Sequence, residues 1–411
     1  MDSTGTLATV GKRDVRGLGS TWPLYRIDTH GRPRDFGSLT ALRGSASLVI
    51  SSLQTDWMRD DFSSGMFPGV PWFLEDQRPQ GFIGYGFARR SSGDLGFPWN
   101  IGLWGDDDVL AALLQRGDLA SGNFVLGDKA LCRVMRSRPE SIPRALRGQV
   151  YGELATRALV CAGLNGWIAG EQPKFTATVD DGEGLLRHVI VKFSEPVDDR
   201  PSARRWADLL ICEHLADKLL AEQEGACAHT NLVWSQGRVC LEVTRFDRVG
   251  VHGRRGCVTL AAWSDAHDGD RDDWPGATLR MQQRGWLESD VVEKARKRWW
   301  FGQMTANTDM HFGNLGFFLD EALPLRLTPS YDMLPMLYRP ASSGELLLRR
   351  FQPPVPKADD LAAWNAVAGW AELYWQQVAD HPDISDDFRQ IAVVNRDLVA
   401  RMRRDWLRLS R

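Results

Sequence analysis

The chain has 411 residues, 43% of them hydrophobic and 25% charged, with 17 Trp and a formal net charge of −3. This length supports two or three packed domains, the aromatic content argues against long disordered stretches, and the nearly balanced charge excludes a global attraction to nucleic acid or anionic membrane. Six scattered Cys with no C-x-x-C pair point away from zinc and toward reduced thiols in a cytoplasmic protein, and neither a signal peptide nor an apolar run of ~18 residues is present.

Residues 1–145 read as a mixed α/β subdomain. "PLYRIDTHGRPRDFGSL" predicts a strand, a turn at His30-Gly31 and a second strand. "DDDVLAALLQRGDL" opens on an Asp cap and continues at helical spacing. In "LVCAGLNGWIAGEQPKFTATV", Gly163, Gly166 and Gly170 lie between two apolar stretches that read as strands. The spacing G-x-x-G-x-x-x-G is neither a Walker A loop nor a dinucleotide fingerprint. Backbone without Cβ can approach phosphates closely, although an ordinary turn would look the same.

"GEGLLRHVIVKFSEP" predicts a strand that carries Lys192, and "ADLLICEHLADKLLAEQEG" a helix that carries Glu213 and is capped by Gly225. An apolar strand is a costly place for a lysine unless an anion meets it. Lys192 could instead face outward and Glu213 could be solvated, but the order glycine loop, strand Lys, helix Glu is that of a kinase-like N-lobe. "RVCLEVTRFDR" reads as a strand ending in charged residues, which closes a second unit over 146–255.

From 256 to 411 the chain reads as a mostly helical lobe. The acidic "SDAHDGDRDDWPG" fails as a calcium loop, because Asp273 takes the required Gly position and Leu279 the required Glu position, and reads as a solvated loop. "VVEKARKRWWFGQM" reads as a helix with one solvated basic face. "NTDMHFGN" then sets Asp309 five residues before Asn314, the separation between the catalytic-loop Asp and the metal-binding Asn of protein kinases. A polar turn is the plain alternative. "NLGFFLD" predicts a strand that pins Asn314, and "LRLTPSYDML" places Asp332 at the end of another strand, where it is either a second metal carboxylate or a turn residue. Two further helices close the chain.

Taken in order, "AGEQPKF" (Ala169–Phe175), "VKF" (Val191–Phe193), "TRFDR" (Thr244–Arg248), "NTDMHFGN" and "SYDML" (Ser330–Leu334) resemble the HipA family of bacterial Ser/Thr kinase toxins from toxin–antitoxin modules. "GLGSTWPLYRID" and "PWFLEDQRPQGF" look like its YjjJ-type branch. The resemblance implies an α+β, two-lobed, protein-kinase-like fold with an extra N-terminal subdomain and an all-helical C-terminal lobe. It implies ATP and Mg2+ as cofactors and a protein substrate with a Ser/Thr acceptor. Asp309 would be the catalytic base, with His311 beside it, Asn314 and Asp332 would bind the metal, and Lys192, partnered by Glu213, would contact the phosphates. Trp167, Ile168, Ala169, Gly170 and Lys174 would cover the nucleotide, Thr244 to Phe246 would form the adenine hinge, and Asp247 would lie near the ribose.

Where several HipA-type kinases have an autophosphorylated Ser, this chain has Trp167, which removes that route to self-inactivation. The YjjJ-type branch also implies an N-terminal helix-turn-helix module. The chain starts too late for one, so either the sequence is trimmed of that module or DNA contact is expected only through a partner such as a helix-turn-helix antitoxin. The same motifs leave open a small-molecule kinase, an AMP transferase, or a degenerate nucleotide-binding regulator.

Overall fold

The computed structural model describes residues 19–409 apart from 43–44, 50–54, 59–64, 163–171, 199 and 226–227. The first sheet is antiparallel, built from β1 (Thr21–Ile27), β2 (Pro33–Leu42), β3 (Ser45–Val49), β4 (Met66–Phe67) and β5 (Phe124–Leu126) in the order β4-β3-β2-β1-β5. The expected β1–β2 turn is present. Gly31 adopts φ +79, and the Asp28 carboxylate accepts the N–H groups of His30 and Arg32, an Asx-type closure.

This region is more helical than its sequence suggested, with α1 (Trp72–Glu75), α2 (Gly81–Leu95), α3 (Asp106–Arg116) and α4 (Asp128–Arg136). The α3 cap is Gly105 rather than an Asp, and Asp108 accepts the Gly105 N–H at 3.2 Å.

The second sheet has the order β6-β7-β8-β10-β9, from β6 (Ser141–Pro143), β7 (Lys174–Asp180), β8 (Leu186–Phe193), β9 (Thr230–Ser235) and β10 (Arg238–Thr244). Only the β6–β7 pair is parallel. Strand alternation divides β8 between two faces. Val189, Val191 and Phe193 pack with Tyr151 and Ala155 of α5 (Arg147–Ala162), whereas Lys192 points to the opposite side. The apolar stretch before the glycines is thus the end of α5 and not a strand. A run as short as "LVCA" cannot be assigned by periodicity alone.

The second face is closed by α6 (Pro201–Glu224), whose Leu209, Leu210, Leu219 and Leu220 are fully buried. Pro201 starts it without losing a helical N–H bond. Gly225 ends it at φ 75, its N–H bonded to the Ala221 carbonyl at 2.9 Å.

A ribbon of β11 (Arg248–Val249) and β12 (Gly253–Arg254) leads into the C-terminal lobe. That lobe holds a small sheet of β13 (Cys257–Thr259), β14 (Gly316–Phe318) and β15 (Arg326–Leu327). Around it stand α7 (Leu260–His267), α8 (Trp274–Gln283), α9 (Ser289–Met304), α10 (Leu361–Asp380) and α11 (Asp386–Leu409).

The acidic segment is not a free loop. It begins inside α7, Asp268 is nearly buried against Arg280 at 2.6 Å, and Asp273 caps α8 by accepting the Gly276 N–H at 2.8 Å. In α9 the basic Arg298 is also buried, bonded to Glu224 at 2.8 Å and to the Thr328 carbonyl at 2.9 Å.

One continuous apolar core runs from Leu24 and Trp72 through α6 to Trp364, Trp375 and Val399, so all three regions share it. No helix among the described residues is long and apolar enough to cross a membrane.

Candidate functional site

The cleft between the second sheet and the C-terminal lobe gathers most of the polar residues singled out above. Lys192, 8% exposed, ion-pairs with Glu213 of α6 at 2.5 Å and also with Asp332. Burial works against its charge, yet Asp332 and then Glu213 hold its pKa above the ordinary lysine value. Burial likewise opposes ionisation of Asp332, but Lys192, with Lys174 behind it, brings that carboxyl down to about 2. For Glu213 burial is the larger influence, and its pKa rises despite the Lys192 ammonium. Lys174 lies directly across the β7–β8 ladder from Lys192.

Asp332 is not at a strand end, because β15 stops at Leu327. It sits in the following loop at φ 56, a left-handed conformation that Asp tolerates better than most residues. Such conformations concentrate where a side chain must be aimed.

The "NTDMHFGN" segment is a braced loop. Asn307, 4% exposed, accepts the Asp309 N–H at 3.0 Å through Oδ1 and donates Nδ2 to the Asp332 carbonyl at 3.2 Å. Asn314 donates Nδ2 to the Asp309 carbonyl at 2.9 Å. His311 accepts the Gly313 N–H at Nδ1, 3.1 Å away, so its proton lies on Nε2, which remains available as a donor. Tyr331 donates its hydroxyl to the Gly313 carbonyl at 2.9 Å.

These bonds decide which oxygens can meet a cation. Asn314 has spent its amide nitrogen and keeps Oδ1, and Asp332 gives one oxygen to Lys192 and keeps the other. Two oxygen donors of this kind suit Mg2+, which completes its shell with phosphate oxygens and water. No group of three or more His, Cys, Asp or Glu among the described residues is placed to hold a metal ion.

Farther along the cleft, a cavity of about 320 Å3 is lined by Phe246, Gly316, Thr328 and Tyr331, with Asp76 and Arg78 reaching in from the N-terminal subdomain. The Phe246 ring lies 6.0 Å from that of Tyr331. The Thr244 N–H is used by the His229 carbonyl and that of Arg245 by the His188 carbonyl, so neither is free for a ligand. Asp247 is not placed as an open ribose ligand. It is nearly buried, bonded to Arg245 (2.8 Å), Arg248 (2.7 Å) and the Gly122 N–H (3.0 Å), and these arginines hold its pKa far down against the opposing effect of burial. Trp167, Ile168, Ala169 and Gly170 lie outside the described residues.

Three groups were not foreseen from sequence. Asn307 joins two loops. Asp76 receives the backbone and hydroxyl donors of Thr259 at 2.6 and 2.7 Å. Asp217, one turn after Glu213 and fully buried, has no partner on either oxygen among the described residues, and burial followed by the Glu213 charge raises its pKa well above the ordinary value. The i, i+4 spacing of Glu213 and Asp217 was the available signal for the last.

Comparison with known proteins agrees with this layout. Residues 18–135 match a family model described as the middle domain of YjjJ-like toxin, and residues 166–406 match the HipA-like C-terminal domain. Toxin YjjJ of Escherichia coli (strain K12) is 35% identical over 382 residues, which cover 92% of this chain and 84% of that protein. Among solved structures, HipA of Shewanella oneidensis MR-1, determined with HipB and operator DNA, superposes with a TM-score of 0.57 at 16% identity. The match covers 92% of this chain and 95% of that one. The architecture is therefore the two-lobed, kinase-like one.

Proposed function

Starting from a chain that belongs to the HipA-like toxin family, in its YjjJ-like branch, we propose that it is an ATP- and Mg2+-dependent kinase that phosphorylates a Ser or Thr of a cellular protein. The observation that carries this reading is Lys192 held between Glu213 and Asp332, beside a loop in which Asn307 and Asn314 fix Asp309.

In this reading the Asp309 carboxylate orients the acceptor hydroxyl and takes its proton. The hydroxyl oxygen bonds to the γ-phosphorus as the bond to the ADP oxygen breaks, and the ADP oxygen leaves with that electron pair. Lys192 would offset the phosphate charge, and the Nε2–H of His311 would donate to a phosphate oxygen. Asn314 and Asp332 would hold Mg2+, which supplies charge neutralisation on the phosphates. Phosphoryl transfer asks a protein for positioning and electrostatics more than for covalent chemistry, and this set provides both. Phe246 and Tyr331 would meet the base in the adjoining cavity. By likeness to the HipA solved with HipB and operator DNA, an antitoxin is the proposed partner, and DNA is reached through it.

Mass spectrometry of a cell lysate incubated with the protein, ATP and Mg2+ tests the reaction type. Phosphorylated Ser or Thr on a protein is the expected product. A nucleotidyl adduct, or phosphate only on a small molecule, would replace this reading.

A further inference from the structure

A second cavity, of about 310 Å3, lies where the end of α4 and the following segment face β7, β8 and the 245–254 ribbon. None of Lys192, Asp309, Asn314 or Asp332 is on its wall, and it shares no lining residue with the cavity beside Phe246. Its polar side is formed by Arg245, Arg248 and Arg254, with His188, Thr176 and Thr178 opposite.

The three guanidinium groups are unequally compensated. Asp247 serves Arg245 and Arg248. Arg254, only 4% exposed, donates Nη2 to the backbone carbonyl of Asp118 at 2.6 Å, and its Nη1 has no partner among the described residues. Burial and then the neighbouring Arg245 charge lower its pKa to about 10. The acids on the wall are Asp118, which lends Arg254 its carbonyl, and the exposed Glu140. The charges of Asp247 and Asp118 act on Arg254 from a distance, but no carboxylate among the described residues bonds it. A buried guanidinium with an unbonded N–H group is costly, and an anion in the cavity would relieve that cost. Guanidinium groups match phosphate oxygens in geometry as well as charge. Leu119, Val134 and Val251 give the cavity an apolar stretch of wall, and Ser137 and His252 also line it.

We propose that this cavity is a second ligand site that takes a small phosphorylated metabolite, its phosphate against Arg254 and Arg245 and its organic body on Leu119, Val134 and Val251. Arg245 directly precedes Phe246, which lines the other cavity.

Calorimetric titration of the full chain with inorganic pyrophosphate, in EDTA and without ATP, tests the site independently of any kinase activity. Saturable one-to-one binding is expected, unchanged when Lys192→Met is combined with Glu213→Gln to keep the fold stable. It should weaken by at least about ten-fold in Arg254→Gln, as expected when a charged hydrogen-bonding group is lost. Ser137→Asp, an exposed change on the same wall, should weaken it similarly without depending on how Arg254→Gln folds. Absence of saturable binding, binding undiminished in both Arg254→Gln and Ser137→Asp, or binding lost in the Lys192→Met, Glu213→Gln double variant but kept in Ser137→Asp overturns the proposal.

Discussion

Asn307 donates to the backbone carbonyl of Asp332 across 25 positions of sequence, at 3.2 Å. Because its other amide atom accepts the Asp309 N–H, one buried side chain fixes the spacing between the proposed base and the proposed metal carboxylate. Asn307→Ala leaves two half-buried backbone groups without this partner and should cost at most about 1–3 kcal/mol for each. Label transfer from ATP should fall by about ten-fold or more, since small misplacements cost large rate factors. Denaturant melts and initial rates check the two effects separately, and an unchanged rate would remove Asn307 from the site.

Lys192 neutralises two carboxylates, so its loss should be felt in stability as well as in chemistry. Lys192→Met strands Glu213, 1% exposed, and should cost about 3–5 kcal/mol, the range for breaking a buried pair. Adding Glu213→Gln should recover most of that loss without restoring phosphate transfer. If the double variant is no more stable than Lys192→Met alone, the Lys192–Glu213 pair is not what holds this corner of the lobe.

Asp76 gives a pH signature. Burial pushes its pKa from 3.8 up to about 6, against the two bonds from Thr259. The folded state therefore binds its proton more tightly than the unfolded chain does. The resulting stabilisation is complete below about pH 4 and is lost as pH rises through about 6. Asp76→Asn should lack this component, so its stability relative to the wild type should improve between about pH 4 and 7. Parallel thermal melts across that range, with the difference flat in pH, would contradict it.

Gly253 marks the seam between the ribbon and the first hairpin. A Cβ there would collide with the backbone carbonyls of Thr29 and Val249, neither of which can rotate away. Gly253→Ala should therefore destabilise the chain by about 1–3 kcal/mol, as overpacking does. A melt indistinguishable from that of the wild type would show that the hairpin can move aside.

The residues whose roles depend on local order were legible in the sequence. Lys192 in an apolar strand, the α6 helix with its Gly225 cap, and the Asp309–Asn314 spacing all follow from periodicity and short motifs. Asp332 was identifiable as a residue but not as a left-handed one, because φ leaves no mark in a five-residue word. Asp247 is not open as a ribose ligand because its sequence neighbours Arg245 and Arg248, and the Gly122 N–H brought in from the N-terminal subdomain, claim it. Asn307, Asp76 and the strand-like end of α5 share that cause. Each takes its role from a partner 25 to 183 positions away or from a sheet that only the folded chain assembles.

In the proposed reaction Asp309 performs chemistry and does not merely hold ATP. The most direct measurement pairs ATP affinity with transfer of γ-label to protein in wild type and Asp309→Gln. Nucleotide affinity should stay within about three-fold of wild type and label transfer should fall by at least about a hundred-fold, the usual worth of a positioned acid or base. Label transfer that persists in Asp309→Gln would contradict it.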